Sequence, residues 1–367
     1  MGVPLECVGP GAMTSPISSR MYGVLPDGRT VEAWTLTGRR GLVLEVITLG
    51  GIVTRLYAPR RDGRLDDVVL GFSNLESYVA GHPYFGAITG RVAGRISDAA
   101  FTLDGRTYQL ARNEPPNHLH GGLVGFDKRL WDASPVSRGD NAPSLRLTYC
   151  SPDGEEGYPG NLNVAATYTV TDDNVFLIET EATSDRTTPL CLTHHSYFNL
   201  AGEGSGTIEN HVLTIPANEF VPVDEELIAT GRLQSIDRSD NDFREPRRLG
   251  DVIPLLFQQH GAIYALPNRG AKQMVHAARL EEFESGRVLT VSTTERYLQL
   301  YTGSRLDGAH AGKSGKAYSP FTGVCLECQG YPDASNAELR TDILLHPGQA
   351  QRHATAYAFS ANQAGSS

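Results

Sequence analysis

Val324-Cys325-Leu326-Glu327-Cys328-Gln329-Gly330-Tyr331-Pro332-Asp333-Ala334-Ser335-Asn336 carries the reading of this chain. Its first six residues read as a strand, whose side chains alternate between two faces. Val324, Leu326 and Cys328 share one face, apolar throughout and suited to a core. Cys325, Glu327 and Gln329 share the other, and Gly330-Tyr331-Pro332-Asp333 turns the chain directly afterwards. A carboxylate held on a strand beside a turn is a candidate general base, because position counts before pKa in proton transfer. The competing reading is a surface glutamate on a half-exposed strand, and the rest of the chain decides between the two.

The neighbouring segments are also β-like. Upstream, Val288–Thr293 and Tyr297–Thr302 read as a hairpin. Gln299 shares a face with Tyr297 and Tyr301, a polar and aromatic combination suited to a sugar or another polyol. Between this pair and the Glu327 strand, Gly308–Lys316 is small and polar and reads as a mobile loop. Downstream, a turn at Leu344–Gly348 precedes a last strand near Thr355–Phe359. Earlier in the chain, Leu162–Val170 and Val175–Thr183 alternate around a Thr171-Asp172-Asp173-Asn174 turn. Met21–Pro59 gives short β runs, Asp67–Phe72 a buried strand and Asn74–Val79 a single helical turn. Long amphipathic helices are missing from the pattern. The expected fold is all-β: one large antiparallel β-sandwich domain over residues 21–361, after a disordered leader (1–20) and before a flexible tail (362–367).

Composition narrows the function classes. An apolar share of 40% against 20% charged residues supplies a core of this size. With 42 acidic against 32 basic side chains and no basic run, the chain is not expected to bind nucleic acid. No apolar run reaches the roughly 18 residues of a membrane span, so no membrane partner is expected. Met1–Arg20 lacks a basic stretch followed by an apolar one, which argues against a secretion signal and for a cytoplasmic place. The five cysteines include Cys325 and Cys328, but strand positions three apart face opposite ways. Buried free thiols are the better reading than a zinc pair.

The remaining polar candidates come in pairs. Arg91 and Arg95 lie four apart in a glycine-spaced segment; one could anchor an anion, and a structural role suits Arg91. His118 and His120 lie two apart, so in extended backbone both would face one way, as metal ligands or as donors lining a pocket. A metal needs further ligands that no other cluster supplies, so none is expected. His194 and His195 are adjacent on a strand, so only one can enter a given cleft.

These residues also fall into motifs. Asp67–Phe72, Tyr84–Ile96, Asn117–Gly122, His195–Leu200 and Leu326–Asn336 together resemble the aldose 1-epimerase (galactose mutarotase) family, in the family's order, over about Tyr22 to Phe359. The resemblance implies the galactose mutarotase-like supersandwich, a cleft on one sheet, a small-molecule sugar or sugar-like substrate, no cofactor and no metal. It implies Glu327 as catalytic base, His195 as general acid and His120 as a second catalytic histidine of the cleft. It further implies substrate contacts from Arg95 and Gln299, with His118 and Tyr197 as additional binding candidates. Two positions depart from the family pattern. Gly94 stands where the family has an asparagine, and Gly261 where it has an acidic residue that grips sugar hydroxyls.

The expected function is therefore interconversion of the α and β anomers of a free sugar by acid/base ring opening and reclosure. A second reading applies the same fold and acid/base pair to the hemiacetal-type ring of a biosynthetic intermediate, as an isomerase or cyclase. A third is a non-catalytic sugar-binding protein, which the retention of Glu327 and His195 disfavours.

Overall fold

The computed structural model describes residues 16–256, 262–267, 273–331, 333 and 343–362. Two antiparallel sheets face each other. The larger has nine strands, with the twelve-residue strand Ala350–Ala361 at its centre between Val175–Ser184 and Arg287–Thr293. The smaller has six, in the order Tyr197–Phe198, Val324–Gln329, Tyr297–Tyr301, Ala262–Ala265, Glu219–Val221 and Gln234–Ser235. A five-stranded meander from Ile17 to Asp67 packs onto the same core. The alternation read from the sequence builds the contact between the sheets. Val324, Leu326, Cys328, Leu298 and Leu300 meet Leu289, Val291, Tyr357 and Phe359 in one buried cluster. Tyr357 also ties the layers with a hydrogen bond from its hydroxyl to the Leu326 carbonyl, 3.2 Å.

The Val324–Gln329 strand is buried on both faces, so the surface-glutamate reading fails: Glu327 is 2% exposed. Three other expectations need correction. First, Arg287–Thr293 and Tyr297–Tyr301 do not pair as a hairpin. The former joins the nine-stranded sheet and the latter the six-stranded one, so Thr294–Arg296 crosses between layers. Both strands bury an apolar face, which is why local pattern cannot tell a hairpin from a crossing. Second, Gly308–Lys316 is tied down. Lys313 is buried, its ammonium 2.6 Å from Asp67 and bonded to the carbonyls of Thr54 and Val69. Third, the leader boundary moves: Ile17–Arg20 pair with Trp34, Thr35, Leu36 and Ala33 as the start of the first strand. Residues 1–15 and 363–367 of the expected leader and tail lie outside the described residues. The helical turn is present as Leu75–Ala80, with the Asn74 side chain capping Ser77 at 2.9 Å. No described helix is long and apolar enough to cross a membrane.

Candidate active site

The face of the six-stranded sheet turned away from the core floors a cavity of about 600 Å³. Strand register sets its floor. Glu327 stands directly opposite Gln299 on the neighbouring strand, and both side chains line the cavity. Gln329, two residues beyond Glu327 on the same face, lines it as well.

His195 enters from a different element. Its backbone is clamped between Gly86 and Ala87, donating to the Ala87 carbonyl (2.9 Å) and accepting from the Gly86 N–H (3.0 Å). This extended pairing sends His194 and His195 to opposite sides, as alternation requires. His195 faces the cavity with Nε2 3.6 Å from Glu327 Oε1. Tyr197 stacks on its ring at 5.1 Å between centroids, Tyr84 lies at 5.7 Å, and Nδ1 stands 3.6 Å from Cys325 Sγ. His194 instead packs among Tyr168, Phe176 and Tyr357, with Nε2 2.7 Å from Ser196 Oγ. The thiols of Cys325 and Cys328 lie on opposite faces, one beside His195 and the other in the core between the sheets.

The His118/His120 pair does not share a face. His120 has left-handed backbone (φ 49°), which breaks the extended geometry that the spacing assumed. His118 is therefore turned into the protein, Nδ1 2.8 Å from the Ala111 carbonyl and Nε2 2.8 Å from the Tyr158 hydroxyl. Both ring nitrogens are satisfied, the side chain does not line the cavity, and its expected role as a substrate contact is withdrawn. His120 does line the cavity. Its Nδ1 accepts the Gly94 N–H at 3.2 Å while the His120 backbone N–H donates to the Gly94 carbonyl at 3.0 Å. Gly121 permits this turn, since a Cβ there would stand 1.7 Å from the Gly90 carbonyl oxygen.

Arg95 lines the cavity with its guanidinium held bidentate by Glu114 at 2.5 and 2.7 Å; Glu114 also holds Arg305 at 2.8 Å. This fork fixes the arginine in one orientation. Arg91 is structural, buried and bonded to Ser151, Pro159 and Pro152 oxygens. Gly94 borders the cavity, and Gly261 lies outside the described residues. Among the lining residues not assigned to a site from the sequence are Tyr84 and Gln329. Tyr84 begins the Tyr84–Ile96 motif, with nothing in its neighbours to mark it as a lining residue. Gln329 was signalled by its place two residues after Glu327, and its buried Oε1 has no hydrogen-bond partner.

Burial dominates the electrostatics. Desolvation pushes the Glu327 carboxyl up to about 8 and the His195 imidazole down to about 4. The pair therefore carries one proton between them over that range, on Glu327 while the cavity is empty. Burial, with the charges of His195 and Arg95 behind it, holds His120 well below the ordinary histidine range. His120 is neutral, and because Nδ1 accepts a backbone N–H, its proton is on Nε2. Candidate ligand atoms of His120, His195 and Glu327 lie within 4.8 Å of one another, close enough for a metal ion. The His120 tautomer opposes metal binding, since its Nε2 holds a proton and Nδ1 is already engaged. The arrangement suits oxygen atoms better: an N–H donor at His120, a fixed guanidinium at Arg95, and one mobile proton between Glu327 and His195.

Comparison with known proteins points the same way. Residues 32–358 match the profile of a family described as aldose 1-epimerase. A galactose mutarotase from Bos taurus is 44% identical over 345 residues, covering 94% of this chain and 98% of that one. An aldose 1-epimerase from Escherichia coli K12 is 33% identical over 343 residues, 91% and 96% of the two chains. Among solved structures, a galactose 1-epimerase from Lactobacillus acidophilus superposes with a TM-score of 0.81 at 25% identity, over 94% and 99% of the chains. An aldose epimerase homologue from C. elegans gives 0.80 at 28% identity, over 89% and 98%.

Proposed function

The chain belongs to the aldose 1-epimerase family and is an isomerase that interconverts sugar anomers; from that premise we propose how this cavity does it and on what. Glu327 is the general base and His195 the general acid. Glu327, as carboxylate, takes the proton from the C1 hydroxyl; the O–H electron pair forms the C1 carbonyl, the C1–O5 bond breaks, and O5 takes the proton of the His195 imidazolium. Rotation about C1–C2 exposes the other face of the aldehyde. On reclosure His195 removes the O5 proton, O5 attacks C1, and the former carbonyl oxygen takes the proton back from Glu327. Each of the two groups contributes roughly 10²–10⁴-fold.

The observation that carries this reading is the meeting of Glu327 and His195 at 3.6 Å, on separate elements, in a cavity wide enough for a sugar. Their protonation fits the cycle. The neutral pair favoured by burial is the form that an open-chain aldehyde meets, and the ion pair is the form that a closed ring meets. The total is one proton in both. His120 Nε2–H and Arg95 then donate to ring or hydroxyl oxygens, Gln299 reads a hydroxyl, and Tyr197 holds the His195 ring.

The substrate is a free aldose. Relatives bear the name galactose mutarotase, but Gly94 in place of the family's asparagine leaves a hydroxyl of galactose without a partner in this cavity, so galactose should be a poor substrate. A cytoplasmic place belongs to the same reading, supported by the buried free thiols Cys191, Cys325 and Cys328; cell fractionation with an antibody against the chain checks it. The decisive test of the chemistry is polarimetry of fresh α-glucose with the protein and with Glu327→Gln. Loss of two powers of ten or more is expected, and activity within a few fold of the parent would end the base assignment.

A further inference from the structure

The line of side chains that starts at Glu327 does not stay polar. Opposite Glu327 stands Gln299, opposite Gln299 stands Ile263, and opposite Ile263 stands Val221. Four adjacent strands thus give one residue each to a single row along the cavity floor. At about 4.8 Å per strand, Ile263 lies roughly 10 Å and Val221 roughly 14 Å from the carboxylate's strand. A pyranose with its C1–O5 edge at Glu327 and His195 extends roughly one and a half strand spacings, past Gln299 and short of Val221. The total space points the same way. A volume of about 600 Å³ is that of roughly twenty waters, against the roughly six that a hexose displaces.

Beyond Val221 the floor continues into a hairpin. Val223 and Ala229 bridge each other and pack on the cluster that holds Val221 and Ile263. At the hairpin tip Leu227 lines the cavity with φ 62°. Its N–H bonds the Asp224 carbonyl at 3.0 Å, and the Asp224 N–H bonds the Ile228 carbonyl at 3.0 Å. This is the tip position where glycine or asparagine sits without strain, whereas a branched side chain does not. Strain kept at a cavity wall motivates a functional reading. Gln234, Arg238 and Asp240 are polar and exposed at the mouth, so water-facing groups rim an apolar floor.

We infer that the preferred substrate is a reducing sugar bearing an apolar substituent of several carbons at the end of the ring remote from C1, laid along Ile263, Val221 and Leu227. This rests on the epimerase reading above and adds to it what the far half of the cavity holds.

The test compares anomer exchange of glucose, 4-O-butyl-glucose and lactose, each followed by NMR at equal concentration, with the protein and with Leu227→Gly. Each methylene moved out of water is worth about fourfold, so the butyl ether should exceed glucose in kcat/KM by at least tenfold. In Leu227→Gly the ratio of ether to glucose should fall several-fold. Leu227→Asn, which tolerates the left-handed backbone, is the second variant if the glycine form is poorly folded. Glucose turned over with the ether no better overturns the inference and leaves the epimerase reading standing. Lactose preferred to the ether overturns it in favour of a second sugar ring. A preference for the ether whose ratio is unchanged in both variants overturns the assigned wall. Exchange of none of the three sugars overturns the epimerase reading itself, and this inference with it.

Discussion

The two ends of the cavity floor are built alike and differ in chemistry. At one end Glu327 and Gln299 face each other across a strand pair; at the other Ile263 and Val221 do the same, on the same sheet and the same row. The backbone is equally regular at both. The difference lies in what stands above each pair. Over Glu327 come His195, with the rings of Tyr197 and Tyr84 beside it, and these exclude water while leaving a proton acceptor 3.6 Å away. Beside Val221 come Val223, Leu227 and Ala229, which exclude water and offer nothing to bond. Burial alone is therefore neutral as to function. On the reading proposed above, it makes a catalyst where the buried groups can pass a proton, and a binding surface where they cannot.

The hardest way to break the contrast is at the carboxylate. Glu327→Gln keeps the shape and removes the acceptor, so anomer exchange should fall by about 10²-fold or more, while sugar binding measured by calorimetry persists. Next, His195→Ala should cost a similar factor, whereas His194→Ala should act on stability, since His194 only packs and bonds Ser196. A drop of about 2–3 kcal/mol in chemical denaturation is expected for the latter, and equal catalytic losses with equal melting temperatures would contradict the split.

The pH profile sharpens the same end. With Glu327 pushed up to about 8 and His195 down to about 4, kcat/KM should form a bell with limbs near those values. Below about 4 both groups are protonated and the base is lost; above about 8 neither is and the acid is lost. A single limb near pH 6.5 would mean that an ordinary, exposed histidine governs the rate.

Smaller effects come from the border and from stability. Gly94 has φ 79°, a conformation that asparagine tolerates. Gly94→Asn should raise galactose turnover by several-fold, since satisfying a buried hydroxyl is worth roughly 1–3 kcal/mol; an unchanged kcat/KM would remove that position from substrate choice. Last, the folded protein holds a proton on Glu327 that the unfolded chain gives up near pH 4.5, so stability falls as pH rises from there towards 8. Glu327→Gln lacks that loss, and its melting temperature should exceed the parent's by a few degrees at pH 8 and match it below pH 4.5.

Several of these features were legible from residue order alone. Period-two alternation assigned Val324, Leu326 and Cys328 to the core and Glu327 to the other face, separated the two thiols, and predicted that His194 and His195 would part. Alternation is a property of any extended backbone and needs no partner to be read. The same rule failed at His118, because His120 is not extended, and no residue type in Asn117–Gly122 announces a histidine with left-handed φ. It also failed to separate a hairpin from a crossing at Thr294–Arg296, since strands of either sheet show the same apolar stripe.

What the amino-acid order determined by itself was local: which faces are apolar, where the turns fall, which motifs a family shares. Tertiary structure decided the rest. It alone brought His195 to Glu327, ran Glu327, Gln299, Ile263 and Val221 into one row, drew Lys313 inward and moved the titration of Glu327 and His195. The physical reason is that side-chain direction follows from a residue's own φ and ψ, whereas strand partners and the loss of water around a charge depend on segments far away in the chain.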